Sequence, residues 1–195
     1  MPPLLTALAY LLGSVSFSIV VVRIFFRKDI REEGSGNAGA TNVLRNHGAK
    51  AGLAVALLDV AKGAAAVWGM KGVTADPRWL SAAAFAVVLG HVFPLYFHFR
   101  GGKGVATTVG AFLVLAPAAT AVVMALFAAV VALTRYVSLG SILAATALPP
   151  VALYLFRAPD PVALSAGAVA LLILYKHREN LRRLAAGTER RLGGR

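Results

Sequence analysis

A chain of 195 residues with 58% hydrophobic content and a mean hydropathy of +0.74 is too apolar for a soluble domain, where apolar usage runs at about 45–50%. Its net charge of +12 argues for a nucleic-acid binder only if the basic residues share one soluble face, and here they fall between and after long apolar runs. Cysteine is absent, so disulfides, thiolate nucleophiles and cysteine-type zinc sites are excluded.

Residues 4–26 form a first predicted span, about the 20 apolar residues that a 30 Å hydrocarbon core requires. No small-residue cleavage site follows it, so it reads as a retained helix and not a signal peptide. A polar segment, 27–50, leads to a second span over 51–70 that carries Asp59 and Lys62 one helical turn apart. The third span, 79–97, has aromatic residues toward its end, and a second polar segment occupies 98–104. From Gly104 to Thr134 there is no charge, and a straight helix of that length would run about 46 Å, well beyond the core. Two readings compete there: one long tilted span, or two short helices that turn at Ala116-Pro117. Further spans are predicted over 137–156, kinked at Pro149-Pro150, and 161–175, separated by the turn residues Ala158-Pro159-Asp160-Pro161.

Charge favours the hairpin. With it the chain is an all-α integral membrane protein of about seven transmembrane helices, N-terminus outside and C-terminus cytoplasmic. Arg23, Arg27, Lys28, Arg31, Arg45, Lys50, Arg100, Lys103, Arg135 and the tail from Lys176 are then cytoplasmic, while only Lys71, Arg78 and Arg157 are outside. With one long span the basic tail falls on the wrong side. No repeat or low-complexity segment is visible, so residues 1–195 read as a single polytopic domain. Its cytoplasmic motif segments are 27–50, 98–104, 134–141 and 176–195.

Those segments hold the candidate chemistry. Gly34-Ser35-Gly36-Asn37-Ala38-Gly39 is formally G-x-G-x-x-G, but a membrane helix and a charged stretch precede it where a dinucleotide fold needs a strand. What survives is a phosphate cradle: glycines admit backbone N–H groups to an anion, and a helix beginning near Gly39 adds its positive end. Arg100-Gly101-Gly102-Lys103-Gly104 lacks the G-K-[ST] ending of a nucleotide-binding loop. Beside Arg45, Lys103 still offers a point charge to complement the arginine's bidentate grip on a dianion. Taken singly, each of these is also an ordinary interfacial loop or positive-inside residue. His91 and His98 are two turns apart and share a face if the helix continues that far, but further metal ligands are not evident. Asp59 and Lys62 read as a structural i,i+3 pair.

The segments GSGNAGATNVLR (34–45), GHVFPLYFHFRGGKGVAT (90–107), 138–141 and KHRENLRRLAAGTE (176–189), in this order, closely resemble the bacterial acyl-phosphate:glycerol-3-phosphate acyltransferase family, PlsY. The resemblance implies a seven-helix membrane fold in the cytoplasmic (inner) membrane with the site toward the cytoplasm. It implies acyl phosphate as donor, lysophosphatidic acid and phosphate as products, and the first step of bacterial phospholipid synthesis. It also implies a link to the soluble enzyme that makes acyl phosphate; no cofactor, metal or nucleic-acid partner is expected from the residues. In that family the first motif carries an important serine and arginine, matching Ser35 and Arg45. The second is associated with glycerol phosphate, matching Gly101, Gly102, Lys103 and Gly104. The last contributes His177, Asn180 and Glu179, the glutamate in a structural role.

The expected site therefore has Ser35, Asn37, His91, His177 and Asn180 as catalytic candidates. Phosphate binding is expected from Gly34, Gly36, Gly39, Thr41, Asn42, Arg45, Gly101, Gly102, Lys103, Gly104, Ser138 and Ser141. An acyl phosphate is a mixed anhydride with a good leaving group, so the tasks left are positioning, offsetting the repulsion of two phosphates and stabilising an oxyanion, with Asn37 or Asn180 as donors. His91, His177 and the donor's own phosphate are candidate bases, the last preferred; an acyl-enzyme at Ser35 is the less favoured route. A transporter is expected to show repeat symmetry and a midplane site, and a scaffold leaves the polar segments unexplained.

Overall fold

The computed structural model describes residues 1–193, and all regular structure among them is helical. They pack as two compact units, Met1–Leu115 and the part from Ala116 onward.

In the first unit, α1 (Pro2–Gly13) and α2 (Phe17–Phe26) together make the first expected span, which breaks at Ser14-Val15-Ser16. A loop with a single 3₁₀ turn, Ile30–Glu32, leads to α3 (Ala40–Lys71). That helix is bent at Gly48, whose φ of 87° lies in the left-handed region that favours glycine. The 32 residues of α3 would reach about 48 Å if straight, so the bend separates a short motif-bearing stretch from the spanning part. Next come α4 (Pro77–Val92), N-capped by Asp76 through Arg78 N–H at 2.9 Å, and α5 (Val105–Leu115).

The main packing partners in this unit are α3 with α5 and α1 with α4. Both pairs meet through glycine. A methyl on Gly63 would overlap the Thr107 carbonyl and one on Gly110 the Val60 carbonyl; Gly13 and Gly90 meet the Val87 and Tyr10 carbonyls in the same way. Lipid supplies no hydrophobic drive between helices, so such backbone approaches carry the association through dispersion contacts.

In the second unit, α6 (Pro117–Thr134) is followed by α7 (Val137–Pro150), α8 (Asp160–Lys176) and the short α9 (Arg178–Ala185). At Pro149-Pro150, where a kink is expected, α7 passes into a π-helical turn, Val151–Leu155. Prolines cannot donate to the ladder, and the turn after them runs in a wider register, with Phe156 N–H donating to Val151 O at 3.2 Å.

Among the described residues, five helical stretches are long and apolar enough to cross a membrane, at 2–26, 40–71, 77–97, 117–134 and 137–155, and α5 is a shorter apolar helix. Exposed leucines such as Leu53, Leu57, Leu133, Leu164 and Leu171 are what a lipid-facing surface requires. The uncharged stretch after Gly104 is interrupted at Ala116, as the two-helix reading expects, and is not one long helix. One expectation is corrected: α4 stops at Val92 ahead of Pro94, and His98 sits at φ 56° in the following loop, so His91 and His98 share no helical face.

Candidate active site

In the first unit the G-x-G-x-x-G loop is held from below by Asn42. Its side-chain amide donates to the carbonyls of Ile30 at 3.1 Å and Glu33 at 2.9 Å, and its Oδ1 accepts the Ser35 N–H at 3.1 Å and Asn46 Nδ2 at 3.0 Å. Asn42 is 3% exposed and its polar groups are committed to the loop. Gly34 turns at φ 59° directly over Asn42 Oδ1, where any side chain would collide. Ser35 is thereby carried to the exposed crest. Gly39 precedes α3, accepting the N–H groups of Asn42 and Val43, with the Asn37 amide folded over it. Thr41 and Arg45 follow, half-buried, on the first turns of the helix.

The approach to this loop is fixed by charge. Asp29 caps the 3₁₀ turn through Arg31 N–H at 3.0 Å, pairs with the Arg31 guanidinium at 2.6 Å and takes Arg23 at 2.8 Å. Its hydrogen bonds from Arg31, against the opposing effect of burial, hold its carboxyl far below the usual carboxylate range. Arg31 also reaches the Phe97 carbonyl at 3.3 Å, tying the first polar segment to the turn that follows α4. Glu33 lies between Lys28, at 2.9 Å, and His47 Nε2, and these two contacts lower its pKa.

The second glycine loop is pressed onto the end of α4. Gly102 N–H donates to the His91 carbonyl at 3.1 Å, and a methyl on Gly102 would strike the His91 Nε2 edge and the Ala38 carbonyl. Gly101 lies as closely against the His91 carbonyl and Pro94. Gly104, at φ 88°, accepts both Thr108 N–H and Thr108 Oγ1 at 2.8 Å, starting α5. Lys103 is thus held, half-buried, between two conformationally fixed glycines. The structure brings together the first loop at Ala38, the His91 ring and Gly102, from three separate stretches of sequence. The N-terminal ends of α3 and α5, both sources of partial positive charge, follow directly from the two loops.

In the second unit a different cluster forms around Glu189. Its Oε1 accepts Ser138 Oγ at 3.0 Å and Asn180 Nδ2 at 2.8 Å, and its Oε2 accepts Arg183 Nε at 2.7 Å. Burial raises its pKa, but the hydrogen bonds from Asn180, Arg183 and Ser138 outweigh it and leave the carboxyl below its ordinary value. His177 donates from Nδ1 to the Ile173 carbonyl at 2.8 Å, so in the neutral ring Nε2 is the acceptor nitrogen. Ser141 Oγ donates back to Val137 O at 2.8 Å, a local helix bond. No group of three or more His, Asp or Glu side chains able to hold a metal ion occurs among the described residues.

Residues 3–187 match the family model described as Glycerol-3-phosphate acyltransferase. The chain belongs to the glycerol-3-phosphate acyltransferase family. It is 44% identical over 188 residues to the enzyme of that name from Geobacter sulfurreducens, covering 96% of both chains. To the Shouchella clausii glycerol-3-phosphate acyltransferase it is 48% identical over 191 residues, covering 94% of this chain and 92% of that one. The fold is similar to a crystal structure of PlsY (YgiH), an integral membrane glycerol 3-phosphate acyltransferase, in its glycerol 3-phosphate form. The TM-score is 0.93 at 38% identity, covering 98% of this chain and 96% of that one. A lysophosphatidic acid form of PlsY matches with a TM-score of 0.88 at 37% identity, covering 97% and 94%.

Within this acyltransferase, three predicted residues sit where their side chains serve the scaffold: Asn42 under the first loop, Ser138 on Glu189 and Ser141 on its own helix. Glu179, expected as the structural glutamate, is exposed and paired with Arg182 at 2.9 Å. Glu189, absent from the expected site, is the buried one. A signal for it existed, since it is the last acid in a tail otherwise dominated by arginine.

Proposed function

We propose that this membrane acyltransferase takes its acyl group from an acyl phosphate and delivers it to a hydroxyl of glycerol 3-phosphate on the cytoplasmic side of the bacterial inner membrane. The observation that carries the reading is the seating of Gly102 on His91 and Ala38, which sets the two glycine loops side by side. Arg45, on the first turns of α3, and Lys103, in the second loop, supply positive charge for two phosphates that repel each other. Backbone N–H groups of the loops and the start of α3 add donors without adding mobile charge.

In the transfer, the glycerol oxygen forms a bond to the acyl carbon, the carbon–oxygen bond to phosphate breaks, and the hydroxyl proton leaves with the departing phosphate. The donor phosphate serves as the base, and loop N–H groups with the Asn37 amide stabilise the tetrahedral oxyanion. His177, with its acceptor nitrogen defined by the Ile173 bond, and Asn180, held by Glu189, act in the same reaction. The orientation is supported within the first unit alone. Arg23, Arg27, Lys28, Arg31, Arg100 and Lys103 flank its polar loops, whereas only Lys71 and Arg78 flank the α3–α4 connection.

Purified protein in lipid, given acyl phosphate and labelled glycerol 3-phosphate, is expected to release phosphate and form lysophosphatidic acid at equal rates. Product from an acyl thioester but not from acyl phosphate overturns the donor assignment. An acylated Ser35 that forms and decays at the turnover rate overturns direct transfer.

A further inference from the structure

Below the glycine loops, inside the first unit, lies a buried ionic chain that the transfer reaction does not use directly. Lys62 Nζ pairs with Asp59 Oδ1 at 2.8 Å and donates to the carbonyls of Val15 at 2.7 Å and Gly13 at 3.2 Å. The Lys62 and Asp59 side chains are 1% and 2% exposed. The two carbonyls lie where the first span breaks between α1 and α2, so the ammonium caps the negative end of α1. On its other side, the same Asp59 oxygen lies 3.5 Å from His91 Nδ1. The opposite edge of that imidazole, Nε2, is the one against which Gly102 and the Ala38 carbonyl are packed.

A charge pair at this depth is costly to bury, and an apolar pair of similar volume would serve packing alone at least as well. Its position explains its retention. The carboxylate lies 3.5 Å from one ring nitrogen of His91, and its charge favours the ring orientation that turns the other nitrogen to Gly102 and the Ala38 carbonyl. We propose that Asp59, anchored by Lys62, is a positioning residue that acts through His91 to fix the spacing of the two anion-holding loops, and with it the capture of the acceptor phosphate. The chain of contacts then runs from the α1–α2 break through Lys62, Asp59 and His91 to Gly102. It rests on the reading that Gly101-Gly102-Lys103-Gly104 holds glycerol 3-phosphate.

The test is a double-mutant cycle on initial rates in lipid. Asp59→Asn is expected to raise KM for glycerol 3-phosphate by about three- to tenfold, with KM for acyl phosphate unchanged. In a His91→Gln background the same substitution is expected to leave the already raised KM for glycerol 3-phosphate where it is. A general structural defect would instead add in both backgrounds and move both KM values. If Asp59→Asn does not accumulate in the membrane, Asp59→Asn with Lys62→Met removes the pair together and is carried through the same cycle. An unchanged KM for glycerol 3-phosphate, or an equal rise with and without His91, overturns the proposal. Lys103→Ala, measured in parallel, separates the two readings. If it raises KM for glycerol 3-phosphate and Asp59→Asn does not, the positioning role alone fails. If Lys103→Ala leaves KM unchanged, the assignment of the acceptor site fails.

Discussion

Asn42 Oδ1 accepts the main-chain N–H of Ser35 across seven residues, at 3.1 Å, and so a buried amide on α3 holds the exposed crest of the first glycine loop. Because the same amide serves Ile30 and Glu33, its loss leaves buried carbonyls without donors. Asn42→Ala is expected to cost about 1–3 kcal/mol and to disorder the loop. A lowered Tm in detergent, with activity falling at temperatures where the wild-type protein is intact, checks this. An unaltered Tm and rate contradict it.

Gly102→Ala places a methyl group into the space of the His91 ring and the Ala38 carbonyl, so the two loops must separate. Activity is expected to fall by about tenfold or more, a modest misplacement of a positioned group being enough. Gly69→Ala is the control, since nothing lies within 4 Å of the added carbon. Rates for both variants at saturating donor separate the local clash from a general intolerance of alanine in these segments.

Glu189 and Glu179 are expected to respond in opposite ways. Glu189→Ala removes the acceptor of Ser138, Asn180 and Arg183 and is expected to cost about 2 kcal/mol or more, with Asn180 loosened. Glu179→Ala removes an exposed ion pair and is expected to stay within about 0.5 kcal/mol of the parent. The pH dependence follows from the same group. A carboxyl whose folded pKa is depressed stabilises the fold above its unfolded value, and that contribution is lost as pH falls through the folded value. The wild-type Tm is therefore expected to drop as pH falls below the ordinary glutamate value of 4.5, and Glu189→Gln to flatten that part of the curve.

The absence of cysteine makes the orientation directly measurable. Single cysteines at Ala49 and Gly72, near either end of the spanning part of α3, are expected to react with an impermeant maleimide from opposite sides of sealed inner-membrane vesicles, Ala49 from the cytoplasmic side. Reaction of both from one side contradicts a crossing by α3.

Much of the arrangement of the candidate site was legible because glycine and charge are rare in apolar surroundings. The two glycine loops, the Asp59–Lys62 pair, the interruption at Ala116 and the disturbance at Pro149-Pro150 all announced themselves by composition. What escaped depended on distant partners. Ser14-Val15-Ser16 carries no breaker, and the break there is satisfied by Lys62, 47 residues beyond Val15. Asn42 reads as an anion ligand by its type and as scaffold by its burial, which only the fold decides. Glu179 and Glu189 are chemically identical, and their exchange of roles follows from Ser138, 51 residues away. His98 fell off the predicted face because Pro94 ends α4, a local signal outweighed in the reading by the regular spacing of the two histidines.

The bend at Gly48 sets the stretch that braces the first loop off from the spanning part of α3. When a helix longer than the hydrocarbon layer is wide meets a thinner or thicker membrane, it accommodates by tilting. Residues beyond 48 are the part that takes up such a tilt, while residues 40–47 are held to the loop by Asn42 at the Glu33 carbonyl and by His47 at the Glu33 carboxylate. The contacts that brace the first glycine loop therefore lie outside the part of α3 that crosses the bilayer.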